Sequence, residues 1–330
     1  MAKVLITGIT GQDGSFLAEQ ALANGDDVFG IVRRTANPNY WRIQHLLDKI
    51  TILNGDVLDL SCLISIISQV KPDQLYNLAA QSDVAVSFQQ PIFTANVTGI
   101  GALHVLEAVK IAHPATKVYQ ASSSEMFGLN DAPQQNELTT FHPRSPYGCA
   151  KLFAHNTAIN YRESFNLFVS TGILFNHESE RRGIGFVTRK ISTTVAEIYH
   201  GRREPLLLGD ITVSRDWGFA GDYTRAMRLI LQHHTPDDFV VATGETWTVT
   251  DFLERAFAVI DENWEDWVCS DSSLLRPADI PSLCGDYSKA KKIIGWEPTL
   301  SFDLLVERMV ERDIERYREK IKNKSTNNWC

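Results

Sequence analysis

Lys3-Val4-Leu5-Ile6-Thr7-Gly8-Ile9-Thr10-Gly11-Gln12-Asp13-Gly14-Ser15-Phe16-Leu17-Ala18 is the stretch that decides the fold. Val4 to Ile6 read as a short, wholly apolar strand, and helical character begins at Phe16. Between them stand Gly8, Gly11 and Gly14, spaced by three. Glycine lets the chain turn tightly and lets a ligand approach the backbone closely. The first amides of the helix that follows then face an anion, helped by the helix dipole. The pyrophosphate of a dinucleotide suits that position. The spacing is G-x-x-G-x-x-G rather than the tighter G-x-G-x-x-G, and it opens the chain, where the first strand of a Rossmann sheet belongs.

Outward from this turn, apolar runs alternate with helical patterns. Strands are expected at Asp27 to Val32, Ile50 to Leu53, Gln74 to Asn77, Lys117 to Ala121 and Phe168 to Leu174. Helices are expected near Ser15 to Ala23, Ser61 to Val70, Val97 to Ala112 and Pro146 to Phe165. Repeated βα units imply an α/β fold: a Rossmann-like, doubly wound parallel sheet with helices on both faces. From Phe175 the rhythm loosens, with helices expected at Phe186 to His200, Thr250 to Val259 and Phe302 to Arg318, and one more strand at Phe239 to Ala242. The expected organisation is a dinucleotide-binding domain over 1–175, rejoined by about 214–243. A smaller mixed α/β substrate domain takes about 176–213 and 244–330, with a frayed end from about Lys322.

The chain has 330 residues, 44% hydrophobic and 22% charged, with a formal net charge of -8. That charge argues against a nucleic-acid partner. No apolar run is expected to reach the roughly 18 residues of a membrane span, and the N-terminus enters a strand at once, without a signal peptide. The five cysteines are scattered, with no Cys-x-x-Cys pair, which points to a reducing cytoplasm and no metal site. The sequons at Asn96 and Asn323 are therefore read as chance.

The second strand ends Val32-Arg33-Arg34. A carboxylate about 20 residues beyond the glycines would hold a ribose 2′-hydroxyl, whereas guanidinium groups suit a 2′-phosphate. Arg33 and Arg34 thus select NADP. Asp56 and Val57, after the third strand, fall near adenine, and Leu78, Ala79 and Ala80, after the fourth, let the backbone pass under the cofactor.

Tyr147-Gly148-Cys149-Ala150-Lys151 sits on an expected helix, where the i, i+4 spacing puts phenol and ammonium on one face. Lowering a phenol from near pKa 10 to about 7 needs about 4 kcal/mol; a neighbouring ammonium and the positive nicotinamide are the expected sources. Tyr147 then serves as base for an alcohol losing hydride. The fifth strand ends Ser122-Ser123-Ser124-Glu125, bringing hydroxyls and a carboxylate to the same edge. Hydride transfer needs no carboxylate, so Glu125 permits a second proton transfer beside a new ketone.

These residues resemble the extended short-chain dehydrogenase/reductase family. Further stretches narrow the resemblance to the GDP-mannose 4,6-dehydratases: Gln120 to Gly128, Pro143 to Tyr147, Gly172 to Ser179, Phe186 to Lys190, Arg215-Asp216-Trp217-Gly218, Ala242 to Thr246 and Gly295-Trp296-Glu297-Pro298. The resemblance spans about 3 to 315. It implies that NADP is regenerated within each turnover. Tyr147 would deprotonate the C4 hydroxyl, Ser123 would hold its oxygen, Lys151 would orient the nicotinamide ribose, and Glu125 would remove the C5 proton and assist loss of the C6 hydroxyl. It assigns the cofactor to Gly8, Thr10, Gly11, Gln12, Asp13, Gly14, Arg33, Arg34, Asp56, Val57, Leu78, Ala79, Ala80, Tyr147, Lys151, Leu174, Asn176 and His177. It assigns the nucleotide sugar to Ser82, Ser123, Glu125, Asn176, Val187, Lys190, Arg215 and Arg276. Thr35 to Arg42 corresponds to a loop that reaches a neighbouring subunit in relatives, implying a homodimer or homotetramer.

The chain departs from the family pattern at Ser123 (usually Thr), Asp83, Asp210, Ser214, Asp279 and Pro281. Several of these fall near the expected substrate, so another nucleotide sugar, such as GDP-manno-heptose, stands as an alternative substrate. A reductase or epimerase on the same scaffold is a second alternative, and Glu125 argues against it. A non-catalytic NADP-binding regulator is a third; it expects damage among Ser123, Tyr147 and Lys151, and all three are intact.

Overall fold

The computed structural model describes residues 1–275, 278 and 280–326. Arg276 and Asp279, singled out above, lie outside the described residues. Seven parallel strands form the main sheet: β1 (Lys3–Thr7), β2 (Asp27–Val32), β3 (Thr51–Asn54), β4 (Gln74–Asn77), β5 (Lys117–Ser123), β6 (Val169–Leu174) and β7 (Asp238–Val241). Their order is β7-β6-β5-β4-β1-β2-β3. The order reverses between β1 and β4, which opens a crevice at the carboxyl ends of the strands.

The strands read as continuous apolar runs because both faces are covered. On one face, α1 (Gln12–Ala23) and α6 (Ala220–Gln232) pack Leu17, Ala21, Met227 and Ile230 against Val4, Ile6 and Val28. On the other, α2 (Leu60–Val70), α3 (Gly101–Ala112) and α4 (Pro146–Phe165) bring Leu63, Ile67, Leu106 and Ala158 against Leu5 and Val118. A third cluster joins α5 (Val187–Tyr199), α7 (Val249–Ala258) and α8 (Phe302–Thr326). Its centre is Phe302, stacked on Trp247 at 4.8 Å and on Trp217 at 5.9 Å between ring centroids.

Three differences from the expected elements have physical reasons. β5 runs two residues beyond Ala121, because Ser122 and Ser123 pair with Ile173 and Leu174; the strand itself therefore carries Ser123 to the crevice. The helix α6 was not expected, since its first turn, Ala220-Gly221-Asp222-Tyr223-Thr224, is weakly helical by composition. It forms because Tyr223, Ala226, Met227, Ile230 and Leu231 bury one face. Finally, Pro91–Ala112 is long and apolar enough to span a membrane by length and composition, which corrects the expectation above. Half of it is buried inside the fold, as core helices of this character commonly are. Its π-type turn, Ala95–Ile100, lies against α4, where Gly99 meets Ala150 and Phe153.

Candidate active site

The glycine turn is built by close approach. Gly8 has φ of +72°, and a Cβ on Gly14 would lie 2.4 Å from the Gly8 carbonyl oxygen; neither position accepts a side chain. Gly11 donates to the Gly8 carbonyl at 2.9 Å and caps α1 with extended backbone and no side-chain bond. The opening amides of α1 are thus left for an anion. Behind the turn, Thr7 Oγ1 donates to Asn77 Oδ1 at 2.6 Å and accepts from the amides of Leu78 and Ala79, both at 3.1 Å. That buried hydroxyl ties β1 to the end of β4 and fixes the floor of the crevice.

A cavity of about 820 Å³ follows these strand ends. Gly8, Thr10, Gly11, Gln12, Asp13, Gly14, Arg33, Asp56, Val57, Leu78, Ala79 and Ala80 line one end. Ser82, Ser123, Glu125, Tyr147, Lys151, Leu174, Asn176 and His177 line its middle, and Val187, Lys190, Asp210 and Arg215 the far end. Arg34 is exposed and lies outside the lining, so of the two arginines only Arg33 stands in the cavity wall.

The middle is assembled where α4 meets the tip of β5. Ser145 caps α4 by accepting from the Gly148 amide at 3.0 Å, and Pro146 occupies the first turn. A Cβ at Gly148 would stand 2.7 Å from the Glu125 carbonyl oxygen, so glycine lets α4 press onto the Ser124–Met126 turn. Ser123 Oγ accepts from the Glu125 amide at 3.2 Å and acts on the Tyr147 phenol, favouring its ionised form. Glu125 is 9% exposed, and its charge acts on Tyr147. Lys151 Nζ donates to the Ala121 carbonyl at 2.8 Å and lies 5.8 Å from the centre of the Tyr147 ring.

Burial pushes Tyr147 up to about 12, opposed by Ser123 and Arg182 and reinforced by Glu125 and Asp13. Burial also pulls Lys151 down to about 8, with Asp13 opposing it.

At the far end, side chains are held by carbonyls from distant segments. Arg215 is buried and donates to the carbonyls of Ser214 at 2.8 Å and Ile280 at 2.7 Å. Lys190 donates to the Leu207 carbonyl at 2.6 Å. Two of the departures have local side-chain reasons, and two others meet only through their backbones. Asp83 caps the helix Val84–Gln89 by accepting from the Val86 amide at 3.1 Å. Asp210 Oδ1 accepts from both the amide and the hydroxyl of Thr212, at 2.8 and 2.6 Å. The Ser214 amide donates to the Pro281 carbonyl at 3.0 Å.

Sequence reasoning missed Arg182, which lines the cavity. Its guanidinium sits 3.6 Å from the Phe186 ring centre and 3.2 Å from Glu178. The pair Arg181-Arg182, one residue beyond Asn176 to Ser179, was the available signal. Arg42 was read as part of an intersubunit loop, yet it donates to the carbonyls of Arg181 at 2.6 Å and Thr10 at 3.3 Å within this chain.

A sequence model described as GDP-mannose 4,6 dehydratase matches residues 5–309. GDP-mannose 4,6 dehydratase 2 of Arabidopsis thaliana is 50% identical over 318 residues, covering 92% of this chain and 85% of its own. The human GDP-mannose 4,6 dehydratase is 46% identical, covering 92% and 89%, and that of Vibrio cholerae is 42% identical, covering 93% and 92%. Among solved structures, dTDP-glucose 4,6-dehydratase from Bacillus anthracis in complex with NAD superposes with a TM-score of 0.84 at 21% identity, covering 97% of this chain and 98% of its own. UDP-glucose 4-epimerase from Thermotoga maritima gives 0.84 at 23% identity, covering 97% and 99%. At such identities the likeness is one of fold.

Proposed function

Because this chain belongs to the GDP-mannose 4,6-dehydratase family and so dehydrates GDP-mannose, we propose that its dinucleotide is NADP and that Ser123, Glu125, Tyr147 and Lys151 carry the chemistry. The glycine turn, the open amides of α1 and Arg33 in the cavity wall fit a dinucleotide with a 2′-phosphate. Held by the glycine turn, the open amides of α1 and Arg33, the dinucleotide would supply the hydride acceptor for C4 and the hydride donor for C6, so that no net oxidation would occur.

The protein's own residues manage the protons. Tyr147 takes the proton of the C4 hydroxyl while Ser123 holds the oxygen. The resulting 4-ketone acidifies C5–H, and Glu125 removes that proton. Glu125 then gives that proton to the departing C6 hydroxyl, which leaves as water, and as hydride returns to C6 the proton that Tyr147 took from the C4 hydroxyl goes to C5, restoring both groups. The product is GDP-4-keto-6-deoxy-mannose. The observation that carries this reading is Glu125 itself: a buried carboxylate at the same strand tip as Ser123, acting on Tyr147. A reductase has no use for it.

The departure at Asp210 leaves this reading intact, since its side chain serves a local turn. The exposed apolar side chains Ile92 and Phe153 support a homodimer or homotetramer, and the scattered free cysteines support a reducing cytoplasm. Cofactor binding falls to 1–175 with about 214–243, and nucleotide-sugar binding to the remainder. The test incubates the protein with GDP-mannose and no added reductant, following product mass and absorbance of reduced nicotinamide. Loss of one water without accumulating NADPH supports the internal cycle. Stoichiometric NADPH release would reassign the protein as a dehydrogenase.

A further inference from the structure

Asp13 presents a physical difficulty. It occupies the first turn of α1, where the open amides and the dipole attract an anion, and a carboxylate there competes with and repels a pyrophosphate. The structure resolves this with His177. His177 Nε2 faces Asp13 Oδ2 at 2.9 Å, while Nδ1 faces the Phe175 carbonyl at 2.7 Å. Both ring nitrogens therefore meet acceptors, an arrangement only the imidazolium satisfies with two donors. The ring also stacks on Tyr223 of α6 at 4.6 Å. The neighbouring bonds join the same two segments: Gln12 Nε2 donates to the His177 carbonyl at 3.1 Å, and Ser179 Oγ to Gln12 Oε1 at 2.7 Å.

We propose that the Asp13–His177 ion pair is a charge-neutralising clasp, which fastens the glycine-turn helix to the strand Asn176–Glu178 and keeps the carboxylate from repelling a bound dinucleotide pyrophosphate. The proposal rests on the nicotinamide-dinucleotide reading of the cavity. His177 is a positioning residue here, acting on the cofactor through Asp13.

The surrounding charges agree. Burial lowers the imidazole's basicity, but Asp13 and the Phe175 carbonyl more than offset it, so His177 lies above the ordinary histidine range, with Arg182 opposing. Burial raises Asp13, but His177, Gln12 and Arg182 hold it below the ordinary carboxylate range. Facing groups from other elements are Lys151 and Tyr147 of α4, Tyr119 of β5, and Arg42, all of which feel Asp13. Glu178, on the same strand, and Asp216 and Asp222 act on Tyr223. The sign follows from His177: its positive charge is fully present at low pH and is lost as pH rises through its raised value, leaving the Asp13 carboxylate uncompensated.

The test titrates the full chain with NADPH, reading nicotinamide fluorescence at pH about 6.5 and about 9. The wild type is expected to lose roughly tenfold in affinity between them, as for one charge uncovered near an anion. His177→Gln should bind weakly at both pH values. The double variant Asp13→Asn with His177→Gln should regain tight binding and lose the His177-dependent slope. Lys151 also titrates in this window and feels Asp13, so its part in the slope is common to the wild type and His177→Gln, both of which keep Asp13, and the difference between those two slopes isolates His177. A double variant as weak as His177→Gln, or a wild-type slope equal to that of His177→Gln, overturns the clasp. A wild type that binds no NADPH at either pH overturns the cofactor reading itself, and with it this inference.

Discussion

The two ends of the cavity are built on different principles. The dinucleotide end consists of strand tips and one helix start: Gly8 and Gly14 shape the turn, and Thr7 locks β1 to β4 through three short contacts. Its ligand-facing groups are largely backbone, so its geometry follows from regular βα units. The nucleotide-sugar end consists of side chains reaching across irregular segments, with Arg215 held by the Ile280 carbonyl, 65 positions away, and Lys190 by that of Leu207. The first kind of site is specified by spacing along the chain. The second is specified by packing of the Phe302 cluster, which sets where those segments lie. The groups proposed to carry the chemistry, Ser123, Glu125, Tyr147 and Lys151, belong to the first kind, and the residues proposed for the nucleotide sugar belong to the second.

If that division holds, the largest losses come from the strand-tip centre and spare the far end. Tyr147→Phe removes the base and should cost roughly 10³-fold in kcat, within the range for general acid–base groups. The Km for GDP-mannose should change little, because the ring still packs. A rapid-quench measurement of NADPH formation on the enzyme checks it. An undiminished first hydride step would move the base elsewhere. Glu125→Gln comes next, at roughly 10²-fold in turnover. This variant should accumulate enzyme-bound NADPH, visible in absorbance, since C4 oxidation precedes the proton loss at C5. Normal turnover would remove Glu125 from the mechanism and with it the main argument against a reductase.

Arg33 and Arg34 sharpen the same contrast within the dinucleotide end. Arg33→Ala should shift the preference for NADP over NAD by roughly tenfold, the value of one charge-assisted phosphate bond. Arg34→Ala should shift it far less, because Arg34 lies outside the cavity wall. Equal effects would mean that both guanidinium groups swing onto the phosphate.

How much could be read from the sequence follows the same line. The glycine spacing, the apolar runs and Tyr147-x-x-x-Lys151 located the sheet, the crevice and the centre, because each is a local pattern with one structural meaning. The helix α6 escaped notice because its first turn is polar and glycine-containing, and only burial against the sheet makes it form. The partner of Lys151 was also illegible: it is the buried Ala121 carbonyl, within a β5 that runs on to Ser123 through pairing with β6. Tertiary pairing decided that, not spacing. Arg182 was missed because two adjacent arginines in a loop carry no direction until Phe186 and Glu178 are in place.

The smallest expected effect comes from the departure that looked most disruptive in sequence. Asp210 lines the far end of the cavity, and a carboxylate there looks hostile to a diphosphate. Its Oδ1 is already engaged by the amide and hydroxyl of Thr212, which hold the carboxyl below the ordinary carboxylate range. It is therefore ionised across the working pH range, but it is open to solvent, where a charge is strongly screened. Asp210→Asn keeps an oxygen for Thr212 and removes the charge. The Km for GDP-mannose should then fall by no more than roughly threefold, since an exposed charge contributes well under about 1 kcal/mol, and kcat should stay unchanged. The gain should shrink further as salt is added. A change of Km by two orders of magnitude would instead mean that Asp210 touches the nucleotide directly, and that the far end is as rigidly specified as the strand tips.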